Sequence, residues 1–181
     1  MERSESDGGS TVGRRDPRRT RRAFVAALGA TATAALAGCG APSGKSHPSI
    51  DEATLETLLG TVTMYKAPGC ACCEEYATYL ASVEDVGVST SETEDLPGVK
   101  SRFGVPDDLE SCHTIDTGEY AIEGHVPLEA VEKLATERPD VKGIALPGMP
   151  AGSPGMGGSK SGKFTVYAFY EDREPTEFVS V

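Results

Sequence analysis

The apolar residues of the chain follow two different spacings, which predict a mixture of helices and strands. Helical spacing of three or four residues predicts helices over residues 50–60, 70–83, 99–103 and 127–135. Runs rich in β-branched and aromatic residues predict strands over residues 61–66, 87–91, 112–116, 119–123, 164–170 and 177–181. Thr117 and Gly118 predict a tight turn that joins the third and fourth of these strands as a hairpin. The whole pattern indicates a mixed α/β domain.

One long segment near the C-terminus follows neither spacing. Residues 146–162 are dominated by Gly, Pro and Ser, and they contain Met149 and Met156. This composition predicts a loop inserted between two elements of the domain. A Gly/Pro loop is a poor place for core methionines, so the two thioethers are candidate accessory ligands for a soft metal ion.

The first 39 residues have the pattern of an export signal. An arginine-rich stretch precedes residues 23–38, which carry no charge and are rich in Ala. This run of 16 residues is shorter than the about 20 apolar residues that a transmembrane helix needs. Residues 20–24 (TRRAF) resemble a twin-arginine signal, and residues 36–39 (LAGC) resemble a lipobox that leaves lipid on Cys39.

The leader sets the expected organisation and location of the protein. Residues 1–39 are predicted to be the signal, residues 40–49 a flexible tether, and residues 50–181 the folded domain. We expect export by the twin-arginine route and a lipid anchor at Cys39, on the outer face of the cytoplasmic membrane.

The charge of the chain is asymmetric and limits its partners. The chain has 17 basic and 28 acidic residues; seven Arg and four acidic residues lie in the leader, which leaves residues 40–181 at a net charge of −14. Phosphate binding needs clustered Lys and Arg, so the domain is not expected to bind nucleic acid. Anionic lipid would also repel it unless it is tethered. An acidic surface that is poor in Lys predicts a salt-adapted, halophilic protein.

The cysteines carry the most specific chemistry. Apart from Cys39, the chain has Cys70, Cys72, Cys73 and Cys112. Cys70 and Cys73 form a C-x-x-C pair between a predicted strand and a predicted helix, which is the setting of a thioredoxin-like redox motif. The N-terminus of a helix favours thiolate through its free N–H groups and partial positive charge. The two glutamates that follow this pair oppose that effect.

The order of the elements predicts a thioredoxin-like fold, with a central mixed sheet and flanking helices. In that fold a cis-proline usually lies against the C-x-x-C pair, just before the hairpin. No proline lies between Pro106 and Pro127, and Cys112-His113 occupies the expected position. A thiol and an imidazole there favour metal binding, and His125, which follows the hairpin, is expected on the same rim. The candidate metal ligands are therefore Cys70, Cys72, Cys73, Cys112, His113 and His125.

Three interpretations of these ligands remain open. Two disulfides would suit an exported domain, although the adjacent Cys72 and Cys73 cannot readily pair with each other. A structural zinc site usually takes separated pairs of ligands. Crowded thiolates select Cu(I) and can bridge several ions, so copper is the expected metal and zinc the alternative. The competing function is a thiol–disulfide oxidoreductase that uses Cys70 and Cys73.

These motifs together resemble the CopG-like copper-resistance proteins, exported metal-binding domains long described as being of unknown function. The resemblance spans residues 62–169 and rests on segments in the same order, namely 65–73, 104–106, 111–114, 120–127 and 146–156. The chain departs from the family directly after Cys73. Glu74, Glu75 and Tyr76 replace the basic residues and Trp that family members often carry.

The resemblance implies a thioredoxin-like fold and a cysteine-bridged copper cluster. Its ligands would be Cys70, Cys72, Cys73 and Cys112, with histidine completing the site. It also implies a role in copper resistance or homeostasis. We expect a metal-binding protein more than an enzyme, and an oxidoreductase if it is an enzyme. Thiolates would hold Cu(I) and histidines would tolerate Cu(II), so copper could cycle between both states with other copper-handling or electron-transfer proteins as partners.

Overall fold

The structure, a computed structural model, describes residues 50–181. The predicted export signal with Cys39 and the predicted tether over residues 40–49 lie outside the described residues. Within residues 50–181, no helix combines the length and the apolar character that crossing a membrane requires.

The described chain contains four α-helices and seven strands. The helices are α1 (Glu52–Leu59), α2 (Ala71–Leu80), α3 (Leu96–Phe103) and α4 (Leu128–Glu137). The strands are β1 (Thr61–Lys66), β2 (Gly87–Glu92), β3 (His113–Asp116), β4 (Ala121–Gly124), β5 (Gly143–Leu146), β6 (Thr165–Phe169) and β7 (Thr176–Ser180). A 3-10 turn at Asp107–Leu109 follows α3. The side chains of Asp51 and Asp95 cap α1 and α3, which fixes where these helices begin.

All seven strands form one mixed sheet in the order β2-β1-β3-β4-β5-β6-β7. Strands β1 and β2 are parallel and are joined through α2, whereas β3 and β4 form the predicted antiparallel hairpin. Helix α4 then leads into β5, which is parallel to β4, and β6 and β7 extend the sheet in antiparallel fashion. The βαβ unit followed by a hairpin and a helix confirms the thioredoxin-like α/β fold.

The sheet separates two apolar cores of unequal size. Side chains alternate between the two faces of each strand, so neighbours on β3 point to opposite cores. The larger core includes Ile115 and packs against α1, α2 and α4. The smaller core lies beside α3 and the 3-10 turn, and consists of Val105, Leu109, Ala121, Ala145 and Phe169. Because His113 contacts Tyr76 of α2, it lies on the side of the larger core.

The hydrophobic pattern did not predict strand β5 or the 3-10 turn at Asp107–Leu109. The sequence of β5, GIAL, has four residues and is buried throughout, so it shows no alternation of polar and apolar positions. The predicted loop also began one residue too early, at Leu146, which is the last residue of β5. The structure places the inserted loop between β5 and β6, after Leu146.

A substitution at Gly143 tests how tightly this short strand packs against its neighbours. A Cβ atom added there would collide with the carbonyl oxygen of Ala121 and would lie 2.6 Å from Cζ of Phe169. We predict that Gly143→Ala lowers the free energy of unfolding by about 1–3 kcal/mol, because the sheet must move to accept the methyl group. Urea denaturation measures this change. The matched control is Gly157→Ala, where no atom lies within 4 Å of the added Cβ; an equal loss in both variants would contradict the prediction.

Candidate metal site

The C-x-x-C pair lies where β1 passes into α2, as the sequence predicts. Cys70 is the N-cap residue of α2, and Cys73 lies in its first turn. The two residues are joined by a disulfide with a Cα–Cα distance of 5.4 Å. Cys72, between them, keeps a free thiol that is half-buried. One of the two disulfides of the disulfide interpretation is therefore present, and Cys72 and Cys112 are not bridged.

A second chain segment brings Cys112 against this helix end. Cys112 directly precedes β3, and its carbonyl oxygen lies 3.6 Å from Sγ of Cys73. Its own Sγ atom lies 3.8 Å from Sγ of Cys72, which in turn lies 3.6 Å from Sγ of Cys70. The sulfur atoms of these four residues, which we call the thiol group (Cys70, Cys72, Cys73 and Cys112), all lie within 4.8 Å of one another.

Cys112 also contacts both histidines of the described chain. Its Sγ atom lies 3.3 Å from Nδ1 of His113 and 2.9 Å from Nε2 of His125. Cys112, His113 and His125 therefore form a second set of potential ligands within 4.8 Å of one another, which we call the mixed group. Cys112 belongs to both groups, so all six predicted Cys and His ligands converge on one place.

The orientation of His125 is fixed by the inserted loop. Its Nδ1–H donates to the carbonyl oxygen of Pro154 at 2.6 Å, which leaves Nε2 to accept from the thiol of Cys112. Such a hydrogen bond to the distal nitrogen is how proteins orient metal-binding histidines. The loop reaches this position because Gly155 has a φ of +75° and lies so close to α2 that a Cβ would be 2.7 Å from the backbone nitrogen of Tyr76.

Tyr76 supports the two imidazoles from inside the larger core. Its ring centroid lies 4.9 Å from that of His113 and 5.2 Å from that of His125, while the two imidazole centroids are 4.9 Å apart. Its hydroxyl donates to the carbonyl oxygen of Val126 at 2.6 Å. Tyr76 is fully buried, so the rings of the mixed group have little room to rotate.

Burial decides the protonation of this site. It lowers the pKa of His113 well below its usual value, with His125 and Lys100 acting in the same direction, and it also lowers the pKa of His125. Both imidazoles are therefore neutral near pH 7, the form that binds metal ions. Burial raises the pKa of Cys112 to about 12, with Cys72 contributing. Cys112 is thus a thiol until a cation displaces its proton.

A buried polar cluster on the other side of the sheet positions Cys112. Glu123 accepts hydrogen bonds from the backbone N–H of Ser111 (2.5 Å) and the hydroxyl of Thr114 (2.6 Å), and it forms an ion pair with Lys100. Lys100 and Glu123 are buried side chains at 2% and 0% exposure. Next to them, Gly124 has a φ of +76°, and a Cβ there would lie 2.7 Å from Cβ of Ser111. The segment before β3 is therefore held tightly against the end of β4.

A second buried lysine offsets the acidic residues beside the thiols. Nζ of Lys66, at the end of β1, lies 2.7 Å from the carboxylates of both Glu74 and Glu92. Glu74 is the first of the two glutamates that were expected to oppose thiolate formation. Because its charge is paired, its effect on the neighbouring sulfur atoms is reduced.

The remaining predicted ligands are less constrained by the structure. Met149 is 40% exposed and Met156 is half-buried in the inserted loop, next to Gly155. Their role as accessory ligands stays a prediction. The sequence did not predict three groups that support the site, namely the Tyr76 ring, the Pro154 carbonyl and the Glu123 carboxylate. Only Tyr76 could have been found from the sequence, because its spacing of three residues from Cys73 places both side chains on one face of the helix.

A thioredoxin-like fold with a convergent Cys/His site defines this chain as a metal-binding type of thioredoxin-like domain, and known proteins resemble it. The family described as a protein of unknown function, DUF411, matches residues 109–156. Two solved structures, titled "Copper resistance protein copG- Form 1" and "Copper resistance protein copG- Form 2", share 33% identity with this chain at a TM-score of 0.61. The matches cover 67% of this chain and 96% and 97% of those chains. No curated protein matches. The chain belongs to the CopG family of copper resistance proteins.

The buried ion pair can be tested separately from metal binding. We predict that Glu123→Gln lowers the free energy of unfolding by about 3 kcal/mol, because Lys100 is left as an unpaired buried cation. Adding Lys100→Met should recover much of this loss, since the glutamine can still accept the hydrogen bond of Ser111. Urea denaturation of the single and double variants measures both effects.

The exposed pair of Lys133 and Glu137 provides the control for this cycle. These residues lie one turn apart on α4, and their side chains are 32% and 50% exposed. Glu137→Gln is expected to leave the unfolding midpoint nearly unchanged, because solvent screens exposed ion pairs. If Glu123→Gln lowered the unfolding midpoint no more than Glu137→Gln does, the predicted loss of stability would be refuted.

Proposed function

We propose that this protein binds copper outside the cytoplasm, in a cysteine-bridged site that holds more than one ion, and that it contributes to copper resistance or homeostasis. The observation that carries this proposal is the shared position of Cys112. Its sulfur lies within reach of the other three cysteines and of both histidines. A thiolate that contacts several potential ligands in this way is well placed to bridge neighbouring metal ions.

The chemistry of the donor set supports copper. Thiolates are soft ligands that select Cu(I), and imidazoles also accept Cu(II). Nδ1 of His113 lies 3.3 Å from Sγ of Cys112, and Nε2 of the same ring is buried without a hydrogen-bond partner among the described residues. Membership of a family of copper resistance proteins agrees with this assignment. Zinc, which accepts the same ligand types, is the alternative ion.

The disulfide limits when the full ligand set is available. Cys70 and Cys73 can bind metal only after their bond accepts two electrons and yields two thiols. Among residues 50–181, the reduced form therefore offers four cysteine ligands, whereas the oxidised form offers two. This difference supports a link between the copper content of the protein and its redox state, including cycling between Cu(I) and Cu(II) with an electron-transfer partner.

The leader supports the proposed location. Export by the twin-arginine route and a lipid on Cys39 would place the domain at the outer face of the cytoplasmic membrane, joined through residues 40–49. There, copper ions and other copper-handling proteins would be its partners. The net charge of −14 in residues 40–181 supports adaptation to high salt and argues against nucleic acid as a ligand.

A thiol–disulfide oxidoreductase is the second candidate, favoured by the disulfide at the N-terminus of α2. Two features count against it. The position before β3 carries Cys112 and His113 where a redox protein of this fold usually has a cis-proline. The Pro154 carbonyl and the Tyr76 ring also hold His125 against the sulfur, which serves a metal ligand more directly than it serves disulfide exchange.

We predict that the reduced full chain, carrying Cys39→Ser to remove the remaining thiol, binds more than one Cu(I) ion per chain under anaerobic conditions. Cys112→Ser should cause the largest loss of copper among single cysteine variants, because Cys112 belongs to both groups. Metal analysis after gel filtration, together with competition against a Cu(I) chelator and against zinc, gives the stoichiometry and the selectivity.

The same preparations separate the two candidate functions. If the protein is an oxidoreductase, the reduced chain will reduce insulin disulfides, bind almost no copper, and keep its activity in Cys112→Ser. Copper binding that depends on Cys112, with little insulin reduction, supports the metal-binding function. Cys39→Ser alone serves as the control and should leave the copper content of the domain unchanged.

A further inference from the structure

We propose that the inserted loop (residues 147–164) is a docking surface for a second protein, one whose contact face surrounds an apolar depression with carboxylates. The inference rests on the proposed function in that this surface borders the Cys/His site. It goes further because it assigns the place and the chemistry of a protein–protein contact, and this contact does not require a bound ion.

The first step is the distribution of charge. Residues 141–170 contain no Asp or Glu, and they are the longest stretch without an acidic residue within residues 50–181. The two strands in this stretch are largely buried, so its exposed part is the inserted loop, which carries Lys160 and Lys163. Net charge makes most of the domain repel an acidic partner, whereas the loop offers that partner two cations.

The two lysines of the loop are available to a partner. Nζ of Lys160 lies 4.8 Å from the ring centroid of Phe164, and Nζ of Lys163 donates to the carbonyl oxygen of Ser180 at 3.5 Å. Neither contact neutralises a charge, because a ring and a carbonyl group carry none. Both side chains are exposed, so carboxylates of another protein can approach them.

The second step concerns Met149, the one large apolar side chain that residues 50–181 expose, at 40%. Its backbone has a φ of +45°, a conformation that residues with side chains rarely adopt. Arg138, at the end of α4, and Asp85 share this conformation, but Asp tolerates it and helix ends often require it. The fold therefore gains neither burial nor a relaxed backbone from Met149. Such strain concentrates at functional sites, and methionine is enriched in protein interfaces.

The third step is that the loop presents this methionine in a fixed orientation. The carbonyl oxygen of Pro150 accepts both the N–H (3.1 Å) and the hydroxyl (2.8 Å) of the buried Ser153. The two limbs of the loop also meet, since the N–H of Gly152 donates to the carbonyl oxygen of Gly157 at 3.0 Å. A Cβ atom at Gly152 would collide with the backbone nitrogen of Lys160. A surface ordered in this way loses little conformational freedom on binding.

The fourth step explains why the partner is a protein rather than a lipid surface. The loop lies beside the Cys/His site, because the Pro154 carbonyl accepts the N–H of His125 and Gly155 packs against the start of α2. The start of α2 also exposes Glu75. A protein can place its carboxylates opposite the lysines alone, whereas a continuous layer of anionic headgroups would also face this glutamate.

The test places the photoreactive residue benzoylphenylalanine at Gly157 of the full chain carrying Cys39→Ser. No atom lies within 4 Å of a Cβ atom at Gly157. The chain is mixed with the exported proteins of the cells that produce it and is irradiated, and mass spectrometry maps the cross-linked peptides. The control carries the same residue at Asp172, which is exposed between β6 and β7 at the other end of the sheet. We expect a protein adduct at Gly157 alone, joined to a segment rich in Asp and Glu.

Matched variants test the chemistry of the contact. Lys160→Glu with Lys163→Glu should lower the adduct yield at least about fivefold, because acidic groups would then face the carboxylates of the partner. Lys133→Glu with Lys142→Glu changes the net charge equally outside the loop and should leave the yield unchanged. Met149→Gly should lower the yield without lowering the urea midpoint of unfolding, because glycine adopts a positive φ at no steric cost.

Several results would overturn this inference: no protein adduct beyond that of the Asp172 control, an adduct with lipid or with a second copy of this chain, equal responses to both pairs of lysine variants, or a lower urea midpoint for Met149→Gly. If one of them occurs and the reduced chain still binds several Cu(I) ions, this inference fails and the proposed function stands. If the adduct forms as expected and the reduced chain binds no Cu(I), the copper function fails and the docking surface stands.

Discussion

The position of one sulfur atom, that of Cys112, depends on contacts made on both faces of the sheet. On one face, the buried carboxylate of Glu123 accepts the N–H of Ser111 and is neutralised by Lys100. On the other face, the thiol of Cys112 meets His125 at 2.9 Å. A buried ion pair seldom adds net stability relative to apolar residues of the same size. Its contribution here is geometric, because it fixes the segment before β3 from the face of the sheet opposite the Cys/His site.

This arrangement gives the thioredoxin-like fold a different use of its redox position. The fold supplies a helix N-terminus with a C-x-x-C pair and a neighbouring segment that lies against it. In this chain the segment contributes a thiol and an imidazole, and the inserted loop contributes the Pro154 carbonyl that orients a second imidazole. The result is a site in which a dithiol and a Cys/His set share Cys112, so that oxidation of the dithiol changes the ligands without dismantling the site.

The sequence was informative wherever chemistry and periodicity are local. The C-x-x-C pair, the hairpin around Gly118 and the convergence of Cys112 with both histidines followed from motif order in a known type of fold. Strand β5 could not be predicted, because a four-residue buried segment has no period to detect. The pairing of Lys100 with Glu123 could not be predicted either, because tertiary packing joins these residues across 23 positions of the sequence. The carbonyl of Pro154 is a backbone group, so the residue type gives no sign that it accepts a hydrogen bond from His125.

The acidic composition and the thiolate site make opposite electrostatic demands, and two buried lysines limit the conflict because they pair with glutamates beside the site. A domain of net charge −14 disfavours further negative charge, and thiolates that bind a metal ion carry such charge. Lys66 lies at the end of β1, paired with Glu74 of the thiol-bearing helix, and Lys100 lies beneath the strand that carries His113. At high ionic strength the surface carboxylates are screened from one another, whereas buried charges are screened much less. At high ionic strength, the pairing of Lys100 with Glu123 therefore persists while the repulsion among the surface carboxylates weakens.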